Sequence, residues 1–140
     1  MTFSLKITTA EQVAAVARAA LLSDLAGTRW QIQNGGITLP SGFHARTDRT
    51  TREDLTEALF ALQLGIKSEP FSWKAPDGWI KLTRADLEQI TAAVAAHVQS
   101  CFDAEEAVET QIAALSDADL AGFAVRAAFD AAMAAPAAET

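Results

Sequence analysis

The sequence predicts an α+β fold: four helices, the third long and heptad-patterned, with two short β-hairpins. Three observations predict it. Apolar residues recur at helical spacing in four segments, each opened by a Thr, Ser or acidic start signal. Between them lie short β-type runs interrupted by Gly and Pro turn signals. One apolar stripe, Leu87, Val94, Cys101, Val108 and Leu115, repeats every seven residues.

The first helix opens at Thr9-Ala10-Glu11-Gln12, a capping box in which Gln12 reaches back to Thr9. Val13, Val16, Ala17, Ala20 and Leu21 follow at helical spacing, and Gly27 is the expected stop. Trp30 and Ile32 then read as extended chain before Asn34-Gly35-Gly36, a turn signal. Residues 37–39 and 43–46 form a short hairpin around Pro40-Ser41-Gly42. The second helix is expected from Thr50 or Thr51 to Gly65. Acids at Glu53, Asp54 and Glu57 favour its start, and its apolar face holds Leu55, Leu59, Phe60 and Leu62.

The second hairpin pairs residues 71–74 with 79–82 across Ala75-Pro76-Asp77-Gly78, a turn with glycine at the closing position. That register places Phe71, Trp73 and Trp79 on one face and Ile80 and Leu82 on the other. The third helix starts at Thr83-Arg84-Ala85-Asp86 and carries the heptad stripe, with Ile90, Val98, Phe102 and Ile112 beside it. Unbroken to Leu115 it is roughly 48 Å long, against a radius of gyration of about 14 Å for a compact chain of this length. It should therefore protrude, bend or pack against another chain. Ser116-Asp117-Ala118-Asp119 is the expected cap of a fourth helix holding Leu120, Phe123, Val125, Ala127 and Phe129, antiparallel to the third. One domain is expected over residues 1–134, with 135–140 a frayed tail.

The 140 residues include 31 Ala and are half hydrophobic, which supplies enough apolar surface to exclude a disordered chain. No apolar run approaches the ~20 residues that span a bilayer, and the start lacks the pattern of a secretion signal. A single Cys cannot form an internal disulfide, which suits a reducing compartment. Net charge is −7 and uneven: residues 1–84 carry +2 and residues 85–140 carry −9. An acidic face repels a phosphate backbone, so nucleic acid is not an expected partner.

Chemistry-bearing residues are sparse. Cys101 lies on the heptad line among Asp103, Glu105 and Glu106, which disfavour a thiolate, and reads as a core residue. His97, Cys101 and Glu105 fall four apart along one side of the third helix, a spacing that can seed a metal site. A zinc site usually recruits a second cluster, and only His44 remains elsewhere, so the spacing reads as a by-product of the helical stripe. No nucleophile, phosphate-loop or metalloprotease motif occurs. No catalytic residue, metal or cofactor is expected. The candidate contact residues are the hairpin aromatics Phe71, Trp73 and Trp79, because Trp is enriched at binding hot spots.

Three segments carry a family resemblance. They are Gly36-Ile37-Thr38-Leu39-Pro40-Ser41-Gly42 leading to Thr47-Asp48-Arg49, then Trp73-Lys74-Ala75-Pro76-Asp77-Gly78-Trp79, then the helical run from Ala93 through His97, Cys101 and Phe102 to Glu105. In order and spacing they resemble domain-of-unknown-function family 4376 of tailed phages and prophages, over residues 30–115. Its members lie in tail gene regions, near fibre genes, and have no established activity. The resemblance implies a non-enzymatic tail-associated structural or assembly protein. Its implied partner is a phage tail or fibre protein, with self-association as a further expectation. Its implied location is the host cytoplasm during assembly and the virion. The alternative is a small acidic phage protein that inhibits a host protein. Locally, Asp48 can cap the second helix, and Arg49 can pair with Glu53 if that helix begins early.

Overall fold

The computed structural model describes residues 8–135. Helix α1 (Ala10–Gln33) starts as the capping box predicts. Thr9 N–H donates to Gln12 Oε1 at 2.9 Å, and Gln12 N–H donates to Thr9 Oγ1 at 3.2 Å. It does not stop at Gly27. A glycine inside a helix costs only about 1 kcal/mol, and the residues after it are held by tertiary contacts: Thr28 is buried and Arg29 pairs with Glu105. Trp30 and Ile32 are therefore helical, not extended.

The stop is Asn34-Gly35-Gly36. Gly36 has φ +88°, and a Cβ there would lie 3.1 Å from the Ala45 carbonyl, so only glycine fits. The exposed carbonyls at the end of α1 find side-chain donors. Asn34 Nδ2 donates to Trp30 O at 2.8 Å, and the buried Thr47 hydroxyl donates to Gln33 O. The same hydroxyl accepts from Gly36 N–H at 2.9 Å.

Strands β1 (Ile37–Thr38) and β2 (His44–Ala45) form the first hairpin, with Ile37 opposite Ala45. Helix α2 (Arg49–Gln63) begins ahead of the predicted Thr50, which puts Arg49 in its first turn, donating to Glu53 at 2.8 Å. Asp48 is its N-cap residue, and it ends at Leu64 before Gly65. Strands β3 (Phe71–Ala75) and β4 (Gly78–Leu82) pair with Trp73 opposite Ile80 and Ala75 opposite Gly78.

The paired segments are the expected ones, with Lys74 opposite Trp79, and the expected faces are corrected. Directly opposed residues share a face of the ribbon, so Trp79 goes with Lys74 and not with Trp73. Phe71, Trp73, Ile80 and Leu82 accordingly share the inner face, and Ser72, Lys74, Trp79 and Lys81 the outer one.

Helix α3 (Arg84–Ala114) has a reciprocal start: Thr83 N–H to Asp86 Oδ2 at 2.9 Å and Asp86 N–H to Thr83 Oγ1 at 3.2 Å. Its 31 residues span about 46 Å. Leu87, Val94, Cys101 and Val108 of the heptad stripe are all buried within the single chain, and Leu115 lies just past the helix. The stripe is thus filled by the chain's own side chains and is not a surface awaiting another.

The Ser116-Asp119 signal caps only a 3-10 turn (Asp117–Asp119), and α4 is Val125–Ala134. Ser116 Oγ donates to Asp119 Oδ2 at 2.8 Å. Leu120, Val125 and Phe129 are all buried. In one unbroken helix Leu120 would sit about 140° from Val125. The break lets both reach the interior. The last residues of the expected frayed tail, 136–140, lie outside the described residues, as do 1–7.

Two compact units use these elements, and their boundaries cut through α1 and α3. The Trp30–Phe102 unit is organised around Ala45, Leu55, Ala58, Phe71, Leu82, Leu87, Ile90 and Val94. The other unit contains α1 up to Arg29 and the chain from Asp103 onward. In it, Arg18 donates to Leu115 O at 2.8 Å and Arg29 pairs with Glu105. The two links run in opposite sense along α1 and α3, so these segments are antiparallel.

Thr47→Val leaves Gln33 O and Gly36 N–H without their buried partner and should cost about 2–3 kcal/mol in urea denaturation. Thr47→Ser keeps the hydroxyl and should cost about 1 kcal/mol or less.

Candidate functional site

Of the three aromatics expected at a contact surface, the structure exposes one. Phe71 is 7% exposed and belongs to the core, and Trp73 is half-buried against it. Trp79 is 71% exposed on the outer face, with Lys74 Nζ 5.9 Å from its ring centroid.

The first two segments of the family resemblance converge in the Trp30–Phe102 unit. A cavity of about 230 Å³ is lined by Phe43, Arg46, Asp48, Asp54, Trp73 and Pro76. Beside it a shallower depression of about 590 Å³ is lined by Gly35, Gly36, Thr38, His44 and Arg46. His44 Nδ1 lies 2.8 Å from Thr38 Oγ1, and its Nε2 lies 4.0 Å from Asp77 Oδ2. A hydroxyl beside an imidazole beside a carboxylate resembles a nucleophile relay, but all three side chains are exposed. The nearby amides are also spent: Gly35 N–H on Ile32 O and Gly36 N–H on Thr47 Oγ1.

Asp48, from the Thr-Asp-Arg triplet, accepts the Thr51 hydroxyl. That bond, with a smaller contribution from the Arg46 charge, holds its carboxyl below the ordinary aspartate range. Asp86 is held low likewise, by the backbone N–H of Thr83 first and then the Thr83 side chain. Both carboxylates serve helix starts.

His97, Cys101 and Glu105 each have another task. A carbonyl can only accept, so His97 Nε2 carries its proton and donates to Ile32 O at 3.0 Å, closing the end of α1. The Cys101 sulfur is 3.8 Å from that nitrogen and fully buried. Glu105 pairs with Arg29. Among the described residues no group of three His, Cys, Asp or Glu side chains is placed to hold a metal ion.

What sequence reasoning missed is an apolar surface on α2. Phe60, expected on the buried face, is 58% exposed. Leu55, Ala58, Leu59 and Leu62 form the inward stripe at helical spacing, and Phe60 sits about 140° from Leu55. That offset was readable from the numbering. Phe60, Leu64 and Ile66 are exposed within seven residues of chain. Between α2 and α3 lies a groove of about 300 Å³, lined by Arg52, Leu55, Thr91, Val94, Val98 and Phe102 among others.

Comparison with known families finds one match: residues 16–138 fit the family described as Domain of unknown function (DUF4376). The match extends past residues 30–115 to take in most of α1 and all of α4. No curated protein and no solved structure matches.

Phe71→Ala should cost about 3–5 kcal/mol of unfolding free energy, and Trp79→Ala should stay within about 0.5 kcal/mol. For pH the sign follows from the lowered carboxyls. Their stabilisation is present above the unfolded value near 3.9 and is lost as pH falls through the folded values. Denaturation midpoints should drop below about pH 4, and Asp48→Asn and Asp86→Asn should each flatten that acid limb.

Proposed function

The chain belongs to the DUF4376 family, and on that premise we propose that it is a non-enzymatic, phage tail-associated structural or assembly protein acting through protein–protein contacts. The observation that carries this is the exposure of Phe60, Leu64 and Ile66 together at the end of α2. Large apolar side chains grouped on a surface mark interaction sites. A second support is that His97, Glu105 and Asp48 are engaged in helix ends and an ion pair. The phage setting rests on the resemblance of the three segments. The proposed place of action is the host cytoplasm during assembly and the virion. Among the described residues no helix is long and apolar enough to cross a membrane.

The alternative, inhibition of a host protein, is favoured by the −9 carried after residue 84 and by Asp103, Glu106 and Glu109 exposed along α3. It calls for a basic partner and salt-sensitive binding.

Mass spectrometry of purified parent particles separates the two, with stoichiometric presence expected for a tail component. A pull-down from infected cells should capture a tail or fibre protein. The double variant Phe60→Ser, Ile66→Ser should weaken that capture at least about tenfold with an unchanged melting temperature. Absence from particles, together with capture of a host protein released by salt, would instead establish the inhibitor.

A further inference from the structure

We propose that the groove between α2 and α3 of the Trp30–Phe102 unit docks a helical segment of a partner protein that presents a carboxylate one turn from an apolar side chain. This rests on the contact role proposed above and gives it a chemistry.

Two polar atoms in the groove are orphans. Arg52 Nε and Thr91 Oγ1 are buried with no hydrogen-bond partner. Buried polar atoms are satisfied in the large majority of cases, and each exception calls for an explanation. The arginine is unusual in a second way. Among the described residues Arg18, Arg29, Arg49, Arg84 and Arg126 have a carboxylate within ion-pair distance, whereas Arg46 and Arg52 have none, and of these two Arg52 is the one with a buried nitrogen lacking a hydrogen-bond partner. The sequence explains the contrast. Arg49, Arg84 and Arg126 each have an acid four residues on, whereas Arg52 has Thr56, whose hydroxyl donates to Arg52's own carbonyl at 2.9 Å. Four residues before it, Asp48 is held by Thr51.

A guanidinium whose Nε is buried without a partner at an apolar groove sets the partner's chemistry. Its charge asks for a carboxylate, because charge-assisted bonds to guanidinium are the strong ones. The walls formed by Leu55, Val94, Val98 and Phe102 ask for an apolar neighbour. Phe102, 46% exposed, supplies an aromatic edge. A groove between two helices, opening onto the α2 surface of Arg49, Glu53, Thr56, Glu57 and Phe60, suits a third helix, which reads such a groove through side chains three and four apart.

The test titrates the full chain, ¹⁵N-labelled, with a blocked helical peptide of roughly four turns carrying Leu and Glu four apart, and with its Glu→Gln counterpart. Binding of the Glu peptide is expected, with chemical-shift changes centred on Arg52, Thr91, Val98 and Phe102. The Gln peptide should bind at least about tenfold more weakly. Arg52→Gln should bring both peptides to that weaker level. Thr91→Val should raise the melting temperature, because it removes a buried hydroxyl without a partner, while weakening the Glu peptide. Equal affinity for the two peptides, discrimination that survives Arg52→Gln, or no binding at about 1 mM would overturn the proposal. So would a dimer in sedimentation that Arg52→Gln dissociates, since the occupant would then be a second copy. Loss of the peptide result with tail-protein capture intact removes this groove alone. Peptide binding without any captured phage protein removes the phage setting and leaves the groove.

Discussion

The Thr47 hydroxyl joins three pieces of chain. It donates to the Gln33 carbonyl at the end of α1, accepts from Gly36 N–H in the turn, and sits one residue before the Asp48 cap of α2. Its burial makes the junction strict, because a buried hydroxyl without partners is costly. The cavity lined by His44, Arg46 and Asp48 lies directly around this junction. The Thr-Asp-Arg triplet therefore has a structural logic: the first residue locks the turn, the second stands at the N-cap position and accepts the Thr51 hydroxyl, and the third pairs with Glu53.

The ends of α1 and α3 follow the same logic. Neither α1 nor α3 has a basic residue in its last turn, so neither helix neutralises its own C-terminus. Both borrow donors from distant chain. Arg18 reaches Ile112 O and Leu115 O at the end of α3, and His97 reaches Ile32 O at the end of α1. Residues that look available for chemistry, His97 above all, are thereby engaged in closing helices. The exposed apolar side chains Phe60, Leu64 and Ile66, and Arg52 with its unpartnered Nε, are instead the materials of an interface.

The local features were legible because their causes are local. Capping boxes at Thr9 and Thr83 act across three residues, and the structure shows both reciprocal bonds of each. The Pro40-Ser41-Gly42 and Pro76-Asp77 turns join the predicted strands, and the α+β class follows from those elements. The heptad period identified the buried line of α3. The candidate site was less legible. Of the aromatics singled out, Trp79 is exposed, whereas Phe71 packs in the core, and Phe60 and Arg52 went unnoticed.

The sequence by itself determined where α1 and α3 begin, which turns close the hairpins and which stripe of α3 is apolar, because each depends on residues within a turn or two of one another. Tertiary structure alone decided that α1 continues past Gly27, since Thr28 and Arg29 are held by packing and by Glu105, far along the chain. It decided that the chain breaks after the 3-10 turn, so that Leu120 and Phe129 can both be buried. It also decided that the heptad stripe is consumed within one chain. A period of seven specifies an apolar seam but not what fills it, and here the seam is filled by distant parts of the same chain.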